Sequence, residues 1–196
     1  MIDPVKQIHS TACGVASVQY SLRWMKNKNI LLFGFQDNDS VFQKGAFKRA
    51  RTCSIDTLGC TPHGLVESLI SHTLDLKLEV IDQGMEESRW YGTLLSSWLG
   101  KLKQYPRVQV WKTRNGGLMP DLNGGIAIRM YKSNTSPSNH FVVQVDNNNI
   151  MDPLTGKYVP AKTYNNSPDW SFMNFSILTI LRTVLRGEMG RNHGHV

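Results

Sequence analysis

Cys13 stands where a loop gives way to the run Cys13-Gly14-Val15-Ala16, and at such a position a thiol becomes a nucleophile. The free N–H groups and the dipole at a helix start favour thiolate over thiol, and can bring a cysteine well below its free pKa of about 8.5. A thiol that transfers acyl groups also needs a base within reach, a group that holds the base in one tautomer, and donors facing the oxyanion. The sequence offers a candidate for each. His140 heads a β-branched run and is the base, while Asp152, followed by Pro153, comes after a short turn and orients it. The Cys13 N–H is one oxyanion donor. The side-chain amide of Gln7, six residues upstream, is a second if the loop folds back over the helix start.

Other residues compete weakly for these roles. His9 lies four residues before Cys13 and would have to fold back sharply to act as its base. His63 and His72 fall on an expected helix and read as surface or packing residues, and His193 and His195 fall in a tail. Cys53 and Cys60 flank a Gly-containing loop and are open to two readings, one bridge in an oxidising compartment or two ordinary thiols. His63 follows Cys60, but no fourth zinc ligand is evident, so neither a metal nor a cofactor is expected. Trp90, Trp98, Trp111 and Trp170 read as core or pocket walls, since basic residues do not interleave with them as on a base-stacking platform.

The elements that must position this set are partly readable. From 13 to about 26 the apolar residues recur at spacings of three and four, as in a helix packed on most of its circumference at the centre of a fold. A helix is expected over 40–50. A second, over 62–74, starts at Thr61-Pro62, because Thr accepts from the first free N–H groups and Pro has none to offer. The alternation at 76–80 predicts a half-buried strand, and Leu94, Leu95, Trp98, Leu99 and Leu102 predict a helix over 91–104. Strands are expected at 108–111, 125–131, 139–145 and 177–184. Asp146 and the three Asn after it form a hairpin turn, since Asn tolerates positive φ. Helices lead and a largely antiparallel sheet follows, which argues for an α+β fold. In neighbouring antiparallel strands the start of one lies beside the end of the next, so His140 and Asp152 meet at one edge.

Gln7, five residues, Cys13-Gly14-x-Ala16, then His140, β-branched residues, a turn and Asp152-Pro153 resemble the papain-like cysteine peptidases of the bacteriocin-leader-processing type. They are also similar to wider papain-fold relatives among bacterial effectors and amidases. The resemblance covers residues 7–24 and 124–157. It implies a papain-like fold, with the nucleophile at a helix start packed on a C-terminal antiparallel sheet. In that family the cysteine attacks, the histidine is the base, the aspartate orients it, and the upstream glutamine completes the oxyanion hole; those roles fall on Cys13, His140, Asp152 and Gln7. Residues 27–123 match nothing in the family, and substrate pockets of such folds are built largely there, so chemistry carries over better than specificity.

The 196 residues are 40% hydrophobic with no apolar stretch near the ~20 that span a bilayer, so a single domain is expected, with 187–196 a flexible tail. No charged-then-apolar signal region opens the chain. That leaves secretion or injection by a specialised system, or otherwise the cytoplasm. Lys plus Arg number 22 against 15 Asp plus Glu, a net charge of +7 that points to anionic partners such as the bacterial wall. The basic residues are scattered and no nucleic-acid motif accompanies them. The expected activity is hydrolysis of an amide through a Cys13 thioester, by a bacterial effector or toxin acting as protease or peptidoglycan amidase, with an immunity or inhibitor protein as a further partner. Alternatives are a glutamine deamidase of a host protein and an idle peptide-binding module on the same scaffold; a nucleic-acid binder is weaker still.

Overall fold

Helix α1 (Cys13–Asn27) is buried without a break from Cys13 to Leu22, as a helix at the centre of a fold must be. Helices α2 (Asp39–Ala50) and α3 (Pro62–Ile70) pack against it and against each other. This is a computed structural model, and it describes residues 2–50, 60–73, 76–82, 97, 100–112, 122, 124–136, 138–165 and 167–181. The start of α3 follows its sequence: Gly64 N–H donates to Thr61 Oγ1 at 3.1 Å, and Pro62 takes the first helical position. Its end does not reach 74. Residues 71–73 turn out of the helix because they pair elsewhere: Phe33 N–H donates to His72 C=O at 2.9 Å, and Leu32 and Thr73 form an isolated bridge. Of the helix expected over 91–104, only 97 and 100–104 are described, and 97 and 100–102 are helical.

Seven strands among the described residues form one sheet in the order β2-β1-β7-β3-β4-β5-β6. They are β1 (Leu76–Asp82), β2 (Val108–Lys112), β3 (Ile126–Ser133), β4 (Asn139–Gln144), β5 (Asn149–Asp152), β6 (Lys157–Pro160) and β7 (Trp170–Leu181). Only β1 and β2 pair in parallel; the other pairings are antiparallel. The chain is therefore α+β, with helices toward the N-terminus and the sheet toward the C-terminus. The last strand begins at Trp170, earlier than the hydrophobic run at 177 announces. Its first part, with Ser171 exposed, is held by pairing to β3 with a register shift between Arg129 and Tyr131. Positions 182–184 lie outside the described residues, as does the tail expected at 187–196. Strand β6 and the short helix α4 (Ala161–Asn165) have no counterpart in the expectations above.

Side chains alternate across the sheet. Ile128, Met130, Phe141, Val143, Met151 and Ile177 join α1 in the main core, while Tyr131, Val142, Ile150, Ala161 and Tyr164 form a second cluster on the opposite face. The turn between β4 and β5 does not use positive φ, since Asn29 is the only described non-Gly residue that does. Asp146 Oδ1 instead accepts from the N–H groups of Asn148 and Asn149, both at 2.8 Å. A carboxylate turn of this kind leaves the Asn residues in ordinary backbone regions.

Close helix packing explains one glycine. A Cβ on Gly64 would lie 2.5 Å from the Ala50 carbonyl oxygen and 2.6 Å from its Cα, where α2 ends against α3. Gly45, exposed within α2, would meet nothing. Gly64→Ala is expected to lower stability by about 1–3 kcal/mol through overpacking. Gly45→Ala is expected to raise it by roughly 0.5–1 kcal/mol through helix propensity. Urea denaturation of both variants checks the pair of signs.

Candidate active site

His140 is the second residue of β4 and Asp152 the last of β5, and antiparallel pairing of Val143 with Met151 brings these strand ends together. The same register puts both side chains on the face that carries the second cluster. His140 Nε2 lies 2.9 Å from Asp152 Oδ1, with each side chain 6% exposed. Cys13 lies close enough to His140 to raise the pKa of its imidazole. With Nε2 committed to Asp152, Nδ1 is the ring nitrogen left for the thiol, which is the arrangement a general base requires. Cys13 reaches it because α1 runs across β4 and β3, so the first residue of the helix sits at the end of the sheet where β4 begins.

Both carboxylate oxygens of Asp152 have further partners. Oδ1 also accepts from Leu154 N–H at 2.9 Å and Oδ2 accepts from Thr155 Oγ1 at 3.0 Å. Burial, and after it this carboxylate, push the pKa of the nearby Tyr164 phenol up. Burial by itself would raise the Asp152 pKa. Its hydrogen bond and charge interaction with His140, with the Leu154 and Thr155 bonds, hold it below the ordinary value instead. For His140, burial works to lower the pKa, but the hydrogen bond to Asp152, with the nearby Cys13 and the charges of both, outweighs it and raises the group to about 9. Rings enclose the imidazole: Tyr164 stacks on it at 6.0 Å between centroids and 22° between planes, and Trp170 lies 5.3 Å away. Trp170 is thus a wall, as its sequence reading had it, placed against His140. No pattern in the sequence singles out Tyr164; it comes near Asp152 from α4, the short helix after β6.

The start of α1 is bare. Its N-cap is Ala12 with no side-chain cap bond, so the Ser and Thr of the preceding loop do not cap it. Among the described residues no backbone carbonyl accepts from Cys13 or Gly14 N–H. The Cys60 side chain packs against Gly14, where an added Cβ would lie 2.8 Å from the Cys60 Cβ. Cys60 is a free buried thiol whose pKa is pushed up to about 12, first by burial and then by Cys13. Cys53 lies outside the described residues.

Gln7 is brought to the same end of the molecule. Its backbone N–H donates to Pro153 C=O at 2.8 Å, directly after Asp152. Its Nε2 donates to Ser10 C=O at 3.2 Å, and an amide nitrogen has a second N–H to give. His9 is exposed, whereas His63 and His72 are each only 6% exposed and so belong to packing. His63 Nε2 lies 3.4 Å from Glu67, and His72 Nδ1 is 2.8 Å from Phe33 C=O just beyond α3. Among the described residues no three His, Cys, Asp or Glu side chains cluster as a metal ion would require, and no helix is long and apolar enough to cross a membrane.

The chain matches no family model, no curated protein and no solved structure. What the site can do therefore rests on its own geometry.

Titration of the pair has a definite sign. The His140 pKa lies above its unfolded value of about 6.5, so its contribution to stability is complete below that pH and is lost as pH rises through about 9. Asp152 is depressed, so its contribution is present above the unfolded value and is lost as pH falls through the folded one. Imidazole NMR is expected to show His140 titrating near pH 9. In Asp152→Asn that midpoint is expected to move down, because the carboxylate that holds the proton is gone.

Proposed function

We propose that this protein is a papain-like cysteine hydrolase that breaks an amide bond through a thioester at Cys13. The observation that carries the proposal is the buried His140 between Asp152 and Cys13, with that cysteine at an uncapped helix start. In this mechanism the Cys13 sulfur attacks the carbonyl carbon, and the oxyanion that forms faces the Cys13 N–H and the Gln7 amide. The C–N bond then breaks as the imidazolium of His140 gives its proton to the departing amine, leaving an acyl group on sulfur. Water, deprotonated by His140, hydrolyses the thioester and restores the thiol. Asp152 remains ionised and holds the ring.

The positive net charge of +7 supports an anionic target, and a protease or peptidoglycan amidase acting as a bacterial effector or toxin fits both charge and chemistry. Incubation with wall fragments and with a cell lysate, followed by mass spectrometry, separates the substrates. Cleaved peptide bonds mean a protease, and lost cross-links mean an amidase. A gain of about one dalton on glutamine means a deamidase, since water replaces the departing amine.

Cys13→Ala is expected to lower turnover at least about a thousandfold, the scale for removing a nucleophile from a concerted set, while circular dichroism stays unchanged. Full turnover in that variant overturns the proposal. A pH profile of kcat/KM is expected to fall on the alkaline side near 9, where His140 loses the proton the leaving amine needs, and this limb moves lower in Asp152→Asn.

A further inference from the structure

Gln43, on α2, is 1% exposed and every polar atom of its side chain is engaged. Its Oε1 accepts from Ile8 N–H at 3.0 Å, and its Nε2 donates to Lys6 C=O at 2.9 Å. The side-chain amide therefore grips the main chain on both sides of Gln7, much as a neighbouring strand would. The second N–H of Nε2 goes to Gln19 Oε1 at 3.1 Å, and Gln19 belongs to α1, six residues on from Cys13.

The direction of every bond in this chain is fixed by groups that have no choice. Asp39 Oδ1 can only accept, so the Gln19 NH2 faces it at 2.8 Å and the Gln19 carbonyl oxygen must face Gln43. Lys6 C=O can only accept and Ile8 N–H can only donate, which sets the Gln43 amide the same way from the other end. Arg23, also on α1, locks the carboxylate through Nη2 at 2.7 Å. On its far side the Gln7 segment is pinned by Gln7 N–H to Pro153 C=O, and a Cβ on Gly156 would lie 2.8 Å from the Lys6 Cβ.

We propose that Gln43 is a positioning residue that hangs the Gln7 loop from α1, so that the Gln7 amide is held in a fixed place relative to the Cys13 sulfur. The proposal rests on the oxyanion role given to Gln7 above. Gln43 touches no reacting atom. Its effect passes through the peptide groups at Lys6 and Ile8, and it matters only for reactions that build negative charge on a carbonyl oxygen. Attack on an alkyl halide builds none, so Cys13 alkylation depends on the thiol and His140 but not on Gln43.

The test compares two reagents that need no knowledge of the natural substrate. With p-nitrophenyl acetate the Cys13 sulfur bonds to the acetyl carbon, the carbonyl oxygen carries the charge, and p-nitrophenoxide leaves with the electron pair. With iodoacetamide sulfur displaces iodide and no oxyanion forms. Gln43→Met, similar in volume and without any of the three hydrogen bonds, is expected to slow acylation of Cys13 at least tenfold while alkylation stays within twofold. Gln7→Ala is expected to do the same. The double variant is expected to be no slower than the slower single one, because both changes remove one interaction. If Gln43→Met does not fold, Gln43→Asn, one methylene too short to reach both sides, replaces it with the same expected result.

Several outcomes overturn the proposal: acylation untouched in the Gln43 variant while Gln7→Ala slows it, losses that multiply in the double variant, or alkylation that falls in parallel with acylation. Acylation unchanged in Gln7→Ala removes the oxyanion role of Gln7, and the proposal with it. Acylation that persists in Cys13→Ala overturns the hydrolase reading before Gln43 is in question.

Discussion

An imidazole and a carboxylate, each 6% exposed, face one another at 2.9 Å between the ends of two neighbouring strands. Burying such groups costs several kcal/mol per ion unless their remaining hydrogen-bonding capacity is met, and breaking one member away from the other costs about 3–5 kcal/mol. That requirement shapes the surroundings. Thr155 and Leu154 come from the turn after β5, Tyr164 from a helix beyond β6, and Cys13 from the far face of the sheet. The turn itself needs Gly156, whose φ of +65° returns the chain so that Lys157 pairs with Asp152. Each part is ordinary; together they leave both carboxylate oxygens of Asp152 paired.

The same end of the sheet gathers the N-terminal segment. Gln7 is tied to Pro153 by its main chain and gripped on both flanks by Gln43, which is tied through Gln19 to the helix that begins with Cys13. The carboxylate-bearing turn, the glutamine loop and the helix that begins with Cys13 are thus linked through hydrogen bonds as well as through the apolar core that Val5 and Met151 share with that helix. Polar linkage of this kind fixes direction as well as distance, since donors and acceptors cannot be exchanged. A packed methyl group would set only separation.

Much of this was legible in advance, for a physical reason. Helix α1 declared itself through apolar spacing, and α3 through the Thr61-Pro62 start, because both signals are local. The meeting of His140 with Asp152 followed from one turn between adjacent antiparallel strands, which is again a short-range constraint. What failed depended on distant partners. Helix α3 stopped early because Phe33 took the His72 carbonyl, and β7 began early because β3 offered a partner to the mixed stretch that starts at Trp170. The reading of His63 and His72 as surface or packing residues held for packing, and what packs over them decided between the two.

The sequence alone determined which residue types stood ready: a cysteine at a helix start, a histidine heading a strand, an aspartate one hairpin away and a glutamine just upstream. Spacing along the chain sufficed because each of these is placed by its own local element. Only the tertiary structure decided that the helix start would be bare, that Tyr164 and Trp170 would close over the imidazole, and that Gln43 would grip the Gln7 loop. Those contacts join residues tens of positions apart. No local propensity records them, because they exist only once the sheet register and the burial of α1 have brought the segments together.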